Sequence, residues 1–249
     1  MAMPILSFWI MTGASTNNES DGVHQLYPKL SIMVPILNEI ELLPELLAHL
    51  QQWQRKGCEV LLVDGGSSDG SAEVAEAIGF TVLSSPRGRA KQMNAGAAKA
   101  KGAVFVFLHA DTRLPQDADQ EILHALKMRH WGHFDVHLSG DKWMLRVISF
   151  FMNYRSRFTG IATGDQALFM SRRTFDSIGG FPDQTLMEDV EISKRLNQLG
   201  RPVCLHSKVI TSGRRWLTRG IWPTIWLMWR LRWAYWRGAA PDKLEKLYR

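Results

Sequence analysis

Short apolar runs alternate with helical stretches between residues 30 and 128, and this alternation constrains the fold more than any other feature. The runs cover 30–35, 59–64, 80–84 and 103–108; the helical stretches cover 41–53, 71–78, 89–100 and 117–128. Apolar runs this short predict strands buried on both faces, and helices between them imply right-handed crossovers in a parallel α/β sheet. The first helix places Leu42, Leu46, Leu50 and Trp53 on one face. Ligands of open α/β sheets bind outside the carboxyl ends of the strands. Two runs deliver a carboxylate there. Leu61-Leu62-Val63-Asp64 leads into Gly65-Gly66-Ser67-Ser68-Asp69-Gly70, and Phe105-Val106-Phe107-Leu108 leads into His109-Ala110-Asp111-Thr112. Two acids at one edge predict a nucleotide site with a divalent cation.

The pattern changes after Trp131. Strands are expected at 134–138, 167–171, 202–205 and 208–210, and helices at 143–158 and 188–199; the stretch 172–178 follows the strand at 167–171 and leads to a break at Gly179-Gly180-Phe181-Pro182. A chain of 249 residues with 45% apolar content fits one large domain, or one domain with an appendage. The expected divisions are an amino-terminal extension (1–28), a main domain (29–216) and a carboxyl-terminal helix and tail (217–249). Cys58 and Cys204 are too few for a disulfide framework and point to reduced thiols in a cytoplasmic protein. No run reaches the roughly 18 apolar residues of a membrane-spanning helix. Net charge is +6, and the basic excess gathers after Arg201. That asymmetry points to a polyanionic partner: nucleic acid, anionic lipid or a phosphorylated substrate.

Several residues carry candidate chemistry. Asp64 can accept from a nucleobase or ribose, or cap the next helix; Asp69 fits a cap. Arg87-Gly88-Arg89, at a loop-to-helix junction, suits either a diphosphate, because a helix amino terminus adds partial positive charge, or a solvated basic face. Asp111 suits Mn2+ or Mg2+, hard cations that bridge carboxylate and phosphate oxygens. His109 either approaches the nucleotide or packs at the strand end. Thr163-Gly164-Asp165-Gln166 and Leu186-Met187-Glu188-Asp189 form a third acidic set, from which a general base can be drawn.

Taken in order, Val34-Pro35-Ile36-Leu37-Asn38-Glu39, Val63-Asp64-Gly65-Gly66-Ser67-Ser68-Asp69-Gly70, Asn94-Ala95-Gly96, Asp111, Gly164-Asp165 and Glu188-Asp189 resemble a family 2 glycosyltransferase of the GT-A fold. The resemblance runs from about residue 30 to about residue 216. It implies a Rossmann-like, mostly parallel sheet flanked by helices. It also implies a nucleotide site of Pro35, Asn38, Glu39, Asp64, Arg89, Asn94 and His109, and a metal at Asp111. Asp189 is the implied base, with Glu188 beside it and Asp165 facing the acceptor or donor sugar. Arg214 and Arg215 would neutralise the diphosphate, and His206 is a candidate additional metal ligand or a structural histidine. The chain departs from the family at Gly65 and His109, where aspartates are common, and at Ser212-Gly213-Arg214-Arg215-Trp216, which lacks the Gln-x-x-Arg-Trp of polymer-forming members. Leu108-His109-Ala110-Asp111-Thr112 resembles a bacterial branch labelled as arsenosugar-biosynthesis-type. The implied reaction is inverting transfer from a nucleotide-sugar donor to a hydroxyl acceptor that is lipid-linked or near a membrane. Two other readings are a nucleotidyltransferase and a non-catalytic nucleotide-sugar binder.

Trp222, Trp226, Trp229, Trp233 and Trp236 fall within an arc of about 80° on a helix. Arg219, Arg230 and Arg237 flank this stripe on one side and Arg232 on the other. Leu227, Met228, Leu231, Ala234 and Tyr235 occupy the far face. The expectation is a helix that buries its leucine face on the main domain and turns its tryptophans toward an anionic membrane surface at the inner face of the cell membrane. A core or dimer contact is the alternative. No nucleic-acid module is present, so no nucleic-acid partner is expected.

Overall fold

The computed structural model describes residues 29–248. The extension expected at 1–28 lies outside the described residues. The amino-terminal half follows the expected alternation: β1 (Leu30–Ile36), α1 (Leu43–Arg55), β2 (Glu59–Asp64), α2 (Ser71–Ala77), β3 (Thr81–Ser84), α3 (Arg89–Lys99) and β4 (Val104–Phe107). β5 (Thr112–Arg113), α4 (Ala118–Ala125), β6 (Trp131–Ser139), α5 (Trp143–Thr159), a 3-10 turn (Gly164–Gln166), β7 (Leu168–Ser171), α6 (Arg172–Ser177), α7 (Glu188–Leu199) and β8 (Val203–Ser212) follow. Three helices close the described chain: α8 (Arg214–Thr218), α9 (Ile221–Trp236) and α10 (Pro241–Tyr248). α1 starts later than the apolar pattern implied because Pro44 sits in its first turn, where its missing N–H costs nothing.

All eight strands form one mixed sheet in the order β3-β2-β1-β4-β7-β6-β8-β5. β2 and β4 flank β1 in parallel, while β7 runs antiparallel to both β4 and β6. Alternate side chains feed two cores. Ile32, Val34, Leu62 and Val106 face α1, α2 and α4. Met33, Leu61, Phe105 and Phe107 face α3, α6 and α7. Ile32, Val34, Leu62 and Val106 are fully shielded from water. Each such side chain contributes roughly 1.5–3 kcal/mol of transfer free energy, so this double burial is the main source of stability.

Two features depart from the sequence expectation. The strands expected at 202–205 and 208–210 are one strand, β8, with a bulge: Phe134 pairs with Leu205 but Asp135 pairs with Lys208. His206 and Ser207 are the surplus residues. The two-residue β5, too short to leave a pattern, pairs antiparallel with Ile210 and Thr211 of β8. The carboxyl-terminal helices pack as the α9 pattern implied. Leu231 and Leu244 are buried against Met187, with Leu186, Val190, Leu227 and Tyr235 around them. No helix among the described residues is long and apolar enough to cross a membrane, and Cys58 and Cys204 are free thiols.

Two histidines are held neutral by the fold. Burial, with the hydrogen bond to Phe134 opposing it, depresses His133 to about 4. Burial and the Arg113 charge depress His49 to about 4, and its Nε2 accepts from Trp53 Nε1 and Leu114 N, both at 3.1 Å. An unfolded histidine takes its proton near 6.5. The unfolded chain therefore binds more protons between about pH 6.5 and about pH 4, and stability is lost as pH falls through that window. The thermal midpoint should fall steadily there, with His133 accounting for up to roughly 3 kcal/mol. A His133→Gln variant should show a flatter profile in a scanning calorimeter.

Candidate active site

The strand order reverses at β1, whose two neighbours, β2 and β4, lead the chain away in opposite directions. A crevice opens outside the carboxyl ends of β1 and β4, the usual ligand position in such sheets. Pro35 and Glu39 reach it from β1; His109 and Asp111 reach it from β4. They line a cavity of about 1280 Å³ together with Arg89, Asp165, Glu188, Asp189, Arg214 and Arg215.

Three of the sequence-expected residues build the crevice without lining it. Asp64 turns toward its own loop and accepts from Gly66 N at 3.0 Å, Ser67 N at 3.1 Å and Ser67 Oγ at 2.5 Å. Asn38, at φ 54°, accepts from Ser68 N at 2.8 Å and so stitches the β1 loop to the β2 loop. Asn94 exchanges two 2.9 Å bonds with the backbone of Phe181 and ties α3 to the loop before α7. Asp69 serves the helix start as expected: it accepts from Ser71 N, the first N–H of α2, and from Ile40 N. A further joint was not anticipated. Gln92 Nε2 donates to Ile36 O at 2.9 Å and Val63 O at 2.7 Å, clamping the ends of β1 and β2.

His206 stays away from this edge. It lies in the β8 bulge, and Arg157 Nη2 is 3.0 Å from its Nδ1. Thr211, which contacts Asp111, is five residues further along the strand, roughly 16 Å at the usual rise. A guanidinium neighbour also opposes a cation there, so the structure does not bring His206 to Asp111.

Asp111 faces Glu39. Burial raises the Glu39 carboxyl above its ordinary range, the Asp111 charge raises it further, and Arg214 and Arg89 oppose both. Asp111 Oδ1 is steadied by Thr112 Oγ1 at 3.3 Å and Thr211 Oγ1 at 3.4 Å. Two carboxylates whose charges repel fit a divalent cation, which would relieve the repulsion. No group of three or more potential ligands is gathered among the described residues. Such an ion would therefore complete its shell with substrate phosphate and water oxygens, as Mg2+ commonly does.

His109 has a different partner. Its Nδ1 is 3.3 Å from Asp165 Oδ1. Burial drives the Asp165 carboxyl upward, but the hydrogen bond and charge of His109, with Arg89 and Arg215, outweigh it and hold the group low. The 3-10 turn is fixed from behind by Gln166, whose Nε2 donates to Ser156 Oγ at 2.9 Å. Gly164 permits the close approach: a Cβ there would stand 2.1 Å from His109 Nε2. Its N–H donates to Asp189 Oδ2 at 3.1 Å, and Val190 N donates to Oδ1 at 2.8 Å. Met187, at φ 65°, bends the chain so that Glu188 and Asp189 open α7 at the cavity wall. A non-glycine residue there stores strain, as functional sites often do. Burial and then the Asp189 charge raise the Glu188 carboxyl.

Two pairs of arginines share the cavity with these acids. Arg89, at the start of α3, and Arg215, whose guanidinium lies 4.6 Å from the Tyr248 ring, form one. Burial and the Arg89 charge lower the Arg215 group. Arg155 of α5 and Arg232 of α9 form the other. Both are half-buried, and both feel the charges of Asp189 and Asp165. Sequence reasoning missed Arg155 altogether and placed Arg232 on the rim of the tryptophan stripe. The available signal was phase: Arg232 falls away from the other arginines of α9, and Arg155 interrupts an aromatic helix.

This fold and crevice define a GT-A-type nucleotide-sugar transferase architecture. The chain belongs to glycosyl transferase family 2, whose family model matches residues 31–179. A probable glycosyltransferase of Bacillus subtilis (strain 168), YdaM, is 25% identical over 242 residues, covering 83% of this chain and 54% of that relative. An undecaprenyl-phosphate 4-deoxy-4-formamido-L-arabinose transferase of Sodalis glossinidius is 39% identical over 101 residues, covering 36% of this chain and 31% of the relative. The chain thus spans a third to a half of the length of these relatives. Among solved structures, the mannosyltransferase PcManGT of Pyrobaculum calidifontis, in complex with GDP-Man and Mn2+, superposes with a TM-score of 0.60 at 22% identity, covering 84% of this chain and 62% of that one. S. aureus TarS 1-349 in complex with UDP-GlcNAc gives 0.56 at 17% identity, over 75% of this chain and 59% of that one. Both share the fold.

Gly164→Ala should push His109 off Asp165 and loosen the turn. The expected cost is about 1–3 kcal/mol, the usual range for overpacking. It is measurable as a lower thermal midpoint with unchanged far-UV circular dichroism.

Proposed function

We propose that this protein is an inverting, metal-dependent glycosyltransferase that moves a sugar from a nucleotide-sugar donor to an acceptor hydroxyl, lipid-linked or near a membrane. The observation that carries this reading is the placement of Asp189. Its carboxylate is fixed by the Gly164 N–H on the wall of a cavity that also holds Asp111, Arg89 and Arg215. Asp189 takes the proton from the acceptor hydroxyl. The oxygen then attacks the anomeric carbon as the bond to the nucleoside diphosphate breaks on the opposite face. Arg89, Arg214 and Arg215 sit where the departing negative charge accumulates. A divalent cation held by Asp111, with Glu39 across from it, supplies further charge neutralisation when bound. Pro35 and Glu39 border the nucleoside side, and Asp165, held by His109, faces the sugar. The Leu-His-Ala-Asp-Thr form supports placement in the arsenosugar-biosynthesis-type branch, and relatives named as undecaprenyl-phosphate transferases support a lipid-linked acceptor.

The test is turnover of a nucleotide-sugar panel with Mn2+, measured as nucleoside diphosphate release. Asp189→Ala should lose about a hundredfold or more in kcat, the usual contribution of a general base. Asp111→Ala, or chelation of the wild type, should lose the metal-dependent activity. Equal turnover in wild type and both variants would refute the assignment.

Membrane association belongs to the same reading. Trp226, Trp229 and Trp236 are 74%, 75% and 77% exposed. α5 also exposes Phe150, Tyr154 and Phe158, stacked at 6.4 and 6.5 Å. An aromatic surface rimmed by Arg219, Arg230 and Arg237 suits an anionic lipid interface at the inner face of the cell membrane. α9 also packs on Met187 beside the catalytic acids, so truncating it would disturb the site. Point variants are therefore the better probe. A Trp226→Ser/Trp233→Ser/Trp236→Ser protein should float with anionic vesicles roughly tenfold less than wild type. Equal flotation would exclude the surface.

A further inference from the structure

Arg155 and Arg232 have no assigned work in the reaction described above. Arg155 Nε and Nη2 are buried without a hydrogen-bond partner. Neither arginine makes an ion pair among the described residues. Their charges repel each other, and burial lowers the Arg155 group to about 9. Their acidic neighbours are already engaged: Asp189 accepts from Gly164 and Val190, and Asp165 pairs with His109. Two half-buried cations with no ion-pair partner are costly, and leaving the Arg155 donors unsatisfied adds to the cost. The orphaned atoms lie on the Nε/Nη2 edge of Arg155, the edge that binds an oxyanion side-on through two parallel bonds.

The surrounding wall is apolar. Met144, Ile148 and Phe151 of α5 face Ile225, Met228 and Trp229 of α9 in the same cavity. At about 1280 Å³ the cavity exceeds the ~300–1,000 Å³ of an ordinary ligand pocket, leaving room for a second substrate beside the donor. The diphosphate already has Arg89, Arg214 and Arg215 in the same cavity. We propose that Arg155 and Arg232 hold the phosphate of a lipid-linked acceptor, whose head also presents the attacking hydroxyl to Asp189 and whose hydrocarbon chain runs between α5 and α9 toward the exposed aromatic surface. This rests on the glycosyltransferase reading and narrows its acceptor to an amphiphile with an oxyanion head.

The experiment titrates the full chain with farnesyl phosphate, farnesol and inorganic phosphate, following tryptophan fluorescence; GDP and UDP with Mn2+ are titrated in parallel. Farnesyl phosphate should bind roughly tenfold or more tighter than either fragment, since both head and chain contribute. Arg155→Gln and Arg232→Gln should each weaken it by about tenfold or more, the weight of a charge-assisted contact, and leave nucleoside diphosphate binding unchanged. Arg155→Met removes an unpaired half-buried charge, should melt no lower than wild type, and should lose the same affinity. Equal binding of farnesol would overturn the phosphate contact, and equal binding of inorganic phosphate would overturn the chain groove. Folded variants with wild-type affinity for farnesyl phosphate would overturn the arginine assignment. Wild type that binds farnesyl phosphate but neither nucleoside diphosphate would support the subsite and refute the donor reading.

Discussion

The parallel pairing of β1 with β4 is the constraint on which the rest of the molecule depends. It sets Leu30 beside Val104 and Met33 beside Phe107, and so fixes where the two loops after these strands emerge. Both strands are buried on both faces, so a slip of one residue would exchange every side chain between the two cores. The register is therefore held by packing across the whole sheet, and the position of Asp111 relative to Pro35 and Glu39 follows from it. The crevice is wide because the order reverses at this point and β7 beyond it runs antiparallel, taking its own loops elsewhere.

The candidate acids come from outside the parallel half. Asp165 and Asp189 are brought to β4 by short bonds between loops: His109 to Asp165, and Gly164 to Asp189. Each loop is braced by a buried amide or a strained residue. Gln166 anchors the 3-10 turn to α5, and Met187 holds a left-handed conformation one residue before Glu188. Mobile loops would not keep an acid within hydrogen-bond reach of a reacting hydroxyl; these are tied at both ends.

Much of the fold was legible in the sequence because burial on both faces leaves an uninterrupted apolar run, and the helices between are amphipathic. β5 left no signal because two residues cannot form a period, and β8 read as two strands because its bulge interrupts the pattern at His206 and Ser207. The site was legible to the extent that motif residues line the crevice, as Asp111, Asp165 and Asp189 do. Asp64, Asn38 and Asn94 show the limit of that logic: polar residues at strand ends and helix starts can serve the loops themselves, and only their bond partners reveal it. Arg155 and Arg232 were hidden for the opposite reason. Each is a charge on a helix that otherwise looks like a membrane or core face, and three-dimensional packing decides which way it turns.

The contact between His109 and Asp165 across Gly164 also bears on how such a chain can change by descent. A histidine at 109 leaves no room for a side chain at 164 and satisfies the acid at 165. An aspartate at 109, the commoner choice of the family, would set two carboxylates face to face and leave Asp165 without its partner. The substitution is then tolerated only with a compensating change on the turn, or with a cation close enough to bridge both acids. Positions 109, 164 and 165 should therefore drift together among descendants, as a coupled set.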